Sequence, residues 1–156
     1  MDMAITAPVA ILMLLVTIEL GYMLFLQSAI DGATRSAARQ VRTGQVQGSG
    51  SPLPTFQTAL CAGLDGAMDC AALSVDVESF GSFSSLSSGI APLQFDRNGK
   101  MTNATFSAGG PSDYVAVRVG YTYQFMTPWV AQIMYPSGGI FLLSTVVFKN
   151  EPFPPS

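Results

Sequence analysis

No histidine occurs in this chain of 156 residues, and charged residues amount to only 11%. The first absence excludes a histidine-based catalytic triad and the histidine-containing zinc sites, and two cysteines are too few for a four-cysteine one. The second lies well below the roughly one quarter that is usual in a soluble domain. The formal net charge is −3, and no basic stripe or interleaving of aromatic and basic residues suggests a nucleic-acid partner. No pair of carboxylates in a local motif suggests acid–base catalysis, although distant residues can still meet in space. "GGPSDY" at 109–114 is a glycine-containing loop without the lysine of a phosphate-binding loop. "NAT" at Asn103 matches a glycosylation sequon, a pattern frequent by chance. These absences lead us to expect no enzyme, no cofactor and no metal.

Hydrophobic residues make up 49% of the chain, and they are unevenly spread. Met3 to Leu26 is apolar apart from Thr6, Pro8, Thr17, Glu19, Gly21 and Tyr22. A helix over this run would be about 36 Å long, enough to cross a hydrocarbon core of about 30 Å. A buried core helix is the alternative, but no second segment is apolar enough to surround it. A cleaved secretory signal has a shorter apolar core, followed by a small-residue cleavage site. Here the run continues directly into more helix, so it is expected to be retained.

Helix signals extend from about Pro8 to about Thr43. Proline is tolerated in a first turn, where its missing N–H has no partner. Gly44 and "QGSGSP" stop the helix. Beyond Leu26 two ladders of small residues recur at helical spacing: Ser28, Gly32 and Ser36, and Ala29, Ala33 and Ala37. Such ladders let another backbone come close. Asp31 and Arg35 are spaced for a favourable i,i+4 ion pair. Arg35, Arg39 and Arg42 share a face, which reads as a solvated or headgroup-facing flank.

The orientation signals conflict. Taken alone, the arginine end would lie in the cytoplasm by the positive-inside rule. Cys61 and Cys70 bracket "CAGLDGAMDC", a spacing that suits a local disulfide and an oxidising compartment. The alternative is two free buried thiols. A basic leader preceding Met1 would reconcile the two signals.

In the second half, Thr55 is placed to N-cap a short helix with Phe56, Leu60 and Leu64 on one face. Then the period changes to two. In "LSVDVES", Leu73, Val75 and Val77 alternate with Ser74, Asp76 and Glu78, which predicts a strand with one wet face. In "YVAVRVGYTYQF", Val115, Val117, Val119, Tyr121, Tyr123 and Phe125 share a face. Thr127 and Pro128 are placed as N-cap and first residue of a helix with Trp129, Val130, Ile133 and Met134 as its apolar side. "IFLLSTVVFK" predicts a third long strand, and "EPFPPS" an extended end. Between the first two strands, Ser79–Ser112 reads as a Ser/Gly-rich loop with a turn at "DRNGK". The expected fold class is α+β. A helix over 1–43, membrane anchor to about Leu26 and amphipathic beyond, precedes a domain over 44–156. That domain has an antiparallel sheet of three or four strands and one or two short helices.

Glu19 stands out. A carboxylate within a membrane costs roughly 2.5 kcal/mol or more at the centre. It lies about 10 Å from the outer end of the apolar run. It can snorkel toward water there, or pair with another protein's helix.

In order along the chain, these motifs resemble the TadE-like minor pilins, or pseudopilins, of the Tad (Flp, type IVc) pilus. "MAITAPVAILMLLVTIELGYMLFLQSAIDGATRSAAR" is similar to that family's N-terminal helix, with its early proline and an "IELG"-type element at Ile18–Gly21. "LCAGLDGAMDCAALSVDVESF" is similar to its cysteine-bracketed segment and first strand, "VAVRVGYTYQFMTPW" to its long strand and Thr-Pro turn, and "VVFKNEPF" to its closing strand. The resemblance implies a pilin-like subunit made with a basic leader and cut by a prepilin peptidase. It implies an anchor in the bacterial inner membrane by a single pass, with the globular domain periplasmic and later extracellular in the pilus. Its partners would be a second minor pilin, the major pilin, the inner-membrane assembly platform and the lipid bilayer. Its role would be to start or cap a filament used in adhesion and biofilm formation. Pilins of this broad type carry a glutamate at mature position five, and alignment puts Asp2 there, with the same charge on a shorter side chain. Met1 would then lie about three residues inside the mature chain. Asp2 and Glu19 are expected to meet the amino terminus or basic groups of neighbouring helices during assembly, and the small-residue ladders to pack on the protein's own sheet or on adjacent subunits.

Overall fold

The apolar run and the amphipathic stretch after it form one element. In a computed structural model that describes residues 2–96, 99–134 and 139–154, helix α1 runs over Asp2–Arg42, 41 residues. The side chains of residues 2–5 and 133–134 lie outside that description, and the expected roles of the Asp2, Ile133 and Met134 side chains lie outside it with them. The helix starts earlier than the expected Pro8, which sits inside it. Proline there removes one N–H bond, to the carbonyl four residues back, while the rest of the ladder continues.

The C-terminus of α1 is built by Gly44. Its φ is 79°, its N–H donates to the Val41 carbonyl at 3.1 Å, and the Gln45 N–H donates to the Gln40 carbonyl at 3.0 Å. This pairing satisfies two of the last carbonyls and needs a left-handed residue at Gly44. The ring of Phe153 lies over the same position, 2.6 Å from where a Cβ would stand. The chain end is tied here as well. The Glu151 N–H donates to the Arg42 carbonyl at 2.9 Å, and Arg42 pairs with the Glu151 carboxylate at 3.3 Å.

Helix α2 (Pro52–Leu64) buries Phe56, Leu60 and Leu64, the face expected. It begins a turn before the expected Thr55, with Ser51 at the N-cap, because Pro52 is already set for the first helical position. Strands β1 (Leu73–Phe80), β2 (Tyr114–Tyr123) and β3 (Ile140–Lys149) form an antiparallel sheet in the order β1-β2-β3. Val75 faces Val119 and Val77 faces Val117 across β1 and β2. Helix α1 packs with α2 on one face of this sheet. The core there joins Leu26, Ile30, Ala33, Ala37 and Val41 of α1 to Phe56 and Leu60 of α2 and to Val77, Val117 and Val119. The second half of α1 is therefore part of the globular fold.

The other face of the sheet is not wet, as the alternation in β1 had suggested. Ser74 and Asp76 are buried, as is Arg118 opposite Asp76. The Arg118 Nε donates to Asp76 Oδ2 at 2.7 Å, its Nη1 donates to the Ala91 carbonyl at 2.6 Å, and its Nη2 also bonds Glu78. The Thr105 N–H donates to Asp76 Oδ1 at 2.8 Å. The cover comes from the Ser/Gly-rich stretch, which has structure of its own. Helix α3 (Phe83–Gly89) is capped reciprocally by Ser82 and Ser85. Phe95 bridges Met101 across the expected turn, whose Arg97 and Asn98 lie outside the described residues. Residues 105–107 pair with Val77 in parallel at the outer edge of β1. Gly120 makes room on this face: a Cβ there would stand 2.0 Å from the Phe141 ring. Helix α4 (Pro128–Met134) follows β2 as expected.

Candidate functional site

The feature that distinguishes this molecule is the first half of α1. Ile11, Met13 and Ile18 are 60%, 65% and 60% exposed, whereas Leu26 and Ile30 are 1% and 0% exposed. The exposed residues point in several directions around the helix, so no single partner face of this chain covers them. By length and composition the helix can cross a membrane. At 1.5 Å per residue its 41 residues make a rod of about 60 Å, half outside the domain and half inside it.

Glu19 sits where the two halves meet, and it is buried. Its Oε1 accepts from the Tyr123 hydroxyl at 3.0 Å and from the Met126 N–H. Its Oε2 accepts from the Thr127 N–H at 3.2 Å. The carboxylate thus ties α1 to the end of β2 and to the turn before α4. Hydrogen bonds to an ionised acceptor are stronger than neutral ones, and here they satisfy a charge that would be costly left alone. Burial, then the hydrogen bond to Glu19, pushes the Tyr123 phenol up to about 12. Tyr22 and Phe125 pack on the Tyr123 ring, with centroids 6.1 and 5.5 Å away. Inside the single chain, Glu19 therefore already has partners. The sequence offered no sign of them: each lies more than a hundred positions away.

The two small-residue ladders part company. Ala33 and Ala37 are buried and Ala29 is half-buried. A Cβ on Gly63 of α2 would stand 2.9 Å from the Ala33 Cα, so this ladder serves the close approach of α1 and α2. Ser28, Gly32 and Ser36 face outward, as do Arg35, Arg39 and Arg42. The ion pair expected between Asp31 and Arg35 is not formed. Asp31 instead accepts from the Gln27 side chain at 3.3 Å, and Gln27 also donates to the Leu143 carbonyl at 3.1 Å. Cys61 and Cys70 are joined in a disulfide with Cα atoms 5.8 Å apart, linking the last turns of α2 to the start of β1. Among the described residues, no three His, Cys, Asp or Glu side chains gather to hold a metal ion.

With this geometry in place, comparison with known families bears on the helix directly. Residues 1–39 match the family described as TadE-like protein. The match agrees with the resemblance read from the sequence, and it covers the TadE-like helix almost to its last turn. No curated protein and no solved structure matches the chain. The match bears on α1, and the sheet, disulfide and α4 are read from their own residues.

Proposed function

We propose that this chain is a non-enzymatic structural subunit, a minor pilin, of a Tad-type pilus. It is held in the inner membrane by α1 with its domain on the periplasmic side. The observation that carries the reading is the division of the TadE-like helix into an uncovered apolar half and a half built into the domain core. A helix that is apolar on all sides needs an apolar surrounding. In the membrane, acyl chains supply it. In a filament, neighbouring helices do, so the same surface serves both states. Asp2, the outward Ser28–Gly32–Ser36 ladder and the flank of Arg35 and Arg39 are the groups we assign to contacts with the second minor pilin and the major pilin. The disulfide fits an oxidising compartment.

The test is an intact mass, without reductant, of the protein taken from its native membrane, with the N-terminal peptide identified. A processed N-terminus before Met1 and a mass two hydrogens light for the Cys61–Cys70 bridge are expected, with other pilins co-purifying. An uncut N-terminus with free thiols and no pilins would instead leave a single-pass membrane protein whose domain binds some other ligand or partner.

A further inference from the structure

Helix α4 lies beside the outer half of α1. Pro8, Leu12 and Leu15 of α1 line a groove of about 610 Å³ together with Thr127–Val130. Val130 is buried, while Trp129 and Met126 are 73% and 76% exposed, among the most exposed large apolar side chains described. No Asp, Glu, Lys or Arg occurs between Arg118 and Lys149.

These facts fix a depth once α1 is taken as the membrane anchor, the reading on which this inference rests. A hydrocarbon core takes about 20 residues of helix. Wherever such a span is set within Met3–Leu26, Pro8, Leu12 and Leu15 fall inside it, and α4 falls there with them. Backbone outside a helix at that depth needs partners for its polar groups. Glu19 accepts from the Met126 and Thr127 N–H groups, Pro128 brings no N–H, and the Ala131 N–H bonds the Thr127 carbonyl at 3.0 Å. We propose that α4 and the Met126–Thr127 turn before it form a second membrane-embedded element, laid against the spanning helix from the level of Glu19 down to the middle of the bilayer, with Met126 and Trp129 facing acyl chains. Glu19 is the positioning residue that holds this element to α1. The apolar surface of α4 is continuous with that of α1 through the shared groove, which is why lipid is assigned as its occupant.

Trp129 is the sole tryptophan, so intrinsic fluorescence reports on α4 alone. The full chain is reconstituted in phosphatidylcholine vesicles with acyl chains brominated at defined positions. Bromine is expected to quench most of the emission, and iodide in the water almost none. In Glu19→Ala, vesicle attachment should persist while bromine quenching falls and iodide quenching rises. Vesicle-bound wild-type protein quenched by iodide and not by bromine would overturn the inference and leave α1 as an anchor. Emission insensitive to both quenchers would put a protein surface, such as a second copy, on Trp129, and would also overturn it. Unchanged quenching in Glu19→Ala would remove Glu19 from the account. Protein that fails to float with the vesicles would overturn both this inference and the anchor.

Discussion

The two halves of α1 differ: the inner half is amphipathic like a water-soluble helix, and the outer half reverses that pattern. The outer half exposes large apolar residues such as Ile11, Met13 and Leu14, and the inner half buries Leu26, Ile30 and Val41 together with the small Ala33, Thr34, Ala37 and Ala38. In water the large residues would be inside, because burial stabilises in proportion to apolar area. The inner half also uses small residues to bring α2 against its backbone, as the contact between Gly63 and Ala33 shows. One helix thus carries two designs, one for an apolar solvent and one for close packing, and Glu19 marks the join. The lesson is that apolar content alone does not say which part of a helix is core.

The contrast can be broken most strongly at matched isoleucines. Ile30, fully buried, changed to Ala should lower domain stability by roughly 2–5 kcal/mol through lost burial and a cavity. Ile11→Ala should change it by less than about 0.5 kcal/mol, as for surface sites. Denaturant unfolding in detergent micelles, followed by circular dichroism, compares the two, and equal effects would erase the distinction. A smaller effect belongs to the inner side alone. Reducing Cys61–Cys70, whose sequence separation is 9, should cost roughly 2–3 kcal/mol, read as a shift in the unfolding midpoint with and without reductant. Smaller again is Gly44→Ala, which forces a side chain into left-handed backbone for about 1–2 kcal/mol and against the Phe153 ring. The double variant Gly44→Ala with Phe153→Ala should be less impaired than the sum of the singles if the ring contributes.

The least of these effects is in pH. The Tyr123 phenol is raised from 10.0 to about 12. A raised folded pKa means that the associated stability is fully present below about pH 10 and is lost as pH climbs through about 12. Tyrosinate absorbance should show a component titrating near that upper value, and Glu19→Gln should move it down.

The period-two runs made β1 and β2 legible in the sequence, because alternation states which residues face a core, and β3 was legible as a long apolar run rich in β-branched residues. The length and composition of α1 were legible for the same kind of reason. What was hidden depends on distant chain. Asp76 reads as solvent-facing until the segment that includes Ala91 and Thr105 covers it. Its opposition to Arg118 follows from register, which the turn-rich intervening segment does not fix. Helix α3 was masked by serine: its capping box pairs Ser82 with Ser85, where glutamate or glutamine at the third position would have announced it. Glu19 was conspicuous as an acid in an apolar run, yet its role as a clasp required Tyr123, Met126 and Thr127 to be brought across the molecule.

The most direct test of the central claim, that α1 passes from bilayer to domain along its own length, is accessibility at its two halves. Ile11→Cys and Arg39→Cys, each made with the native disulfide left in place, would be treated in spheroplasts with a membrane-impermeant maleimide. Labelling of Arg39→Cys with Ile11→Cys untouched until the membrane is dissolved is the predicted result. Labelling of both in intact spheroplasts would contradict the account, and so would labelling of Ile11→Cys alone.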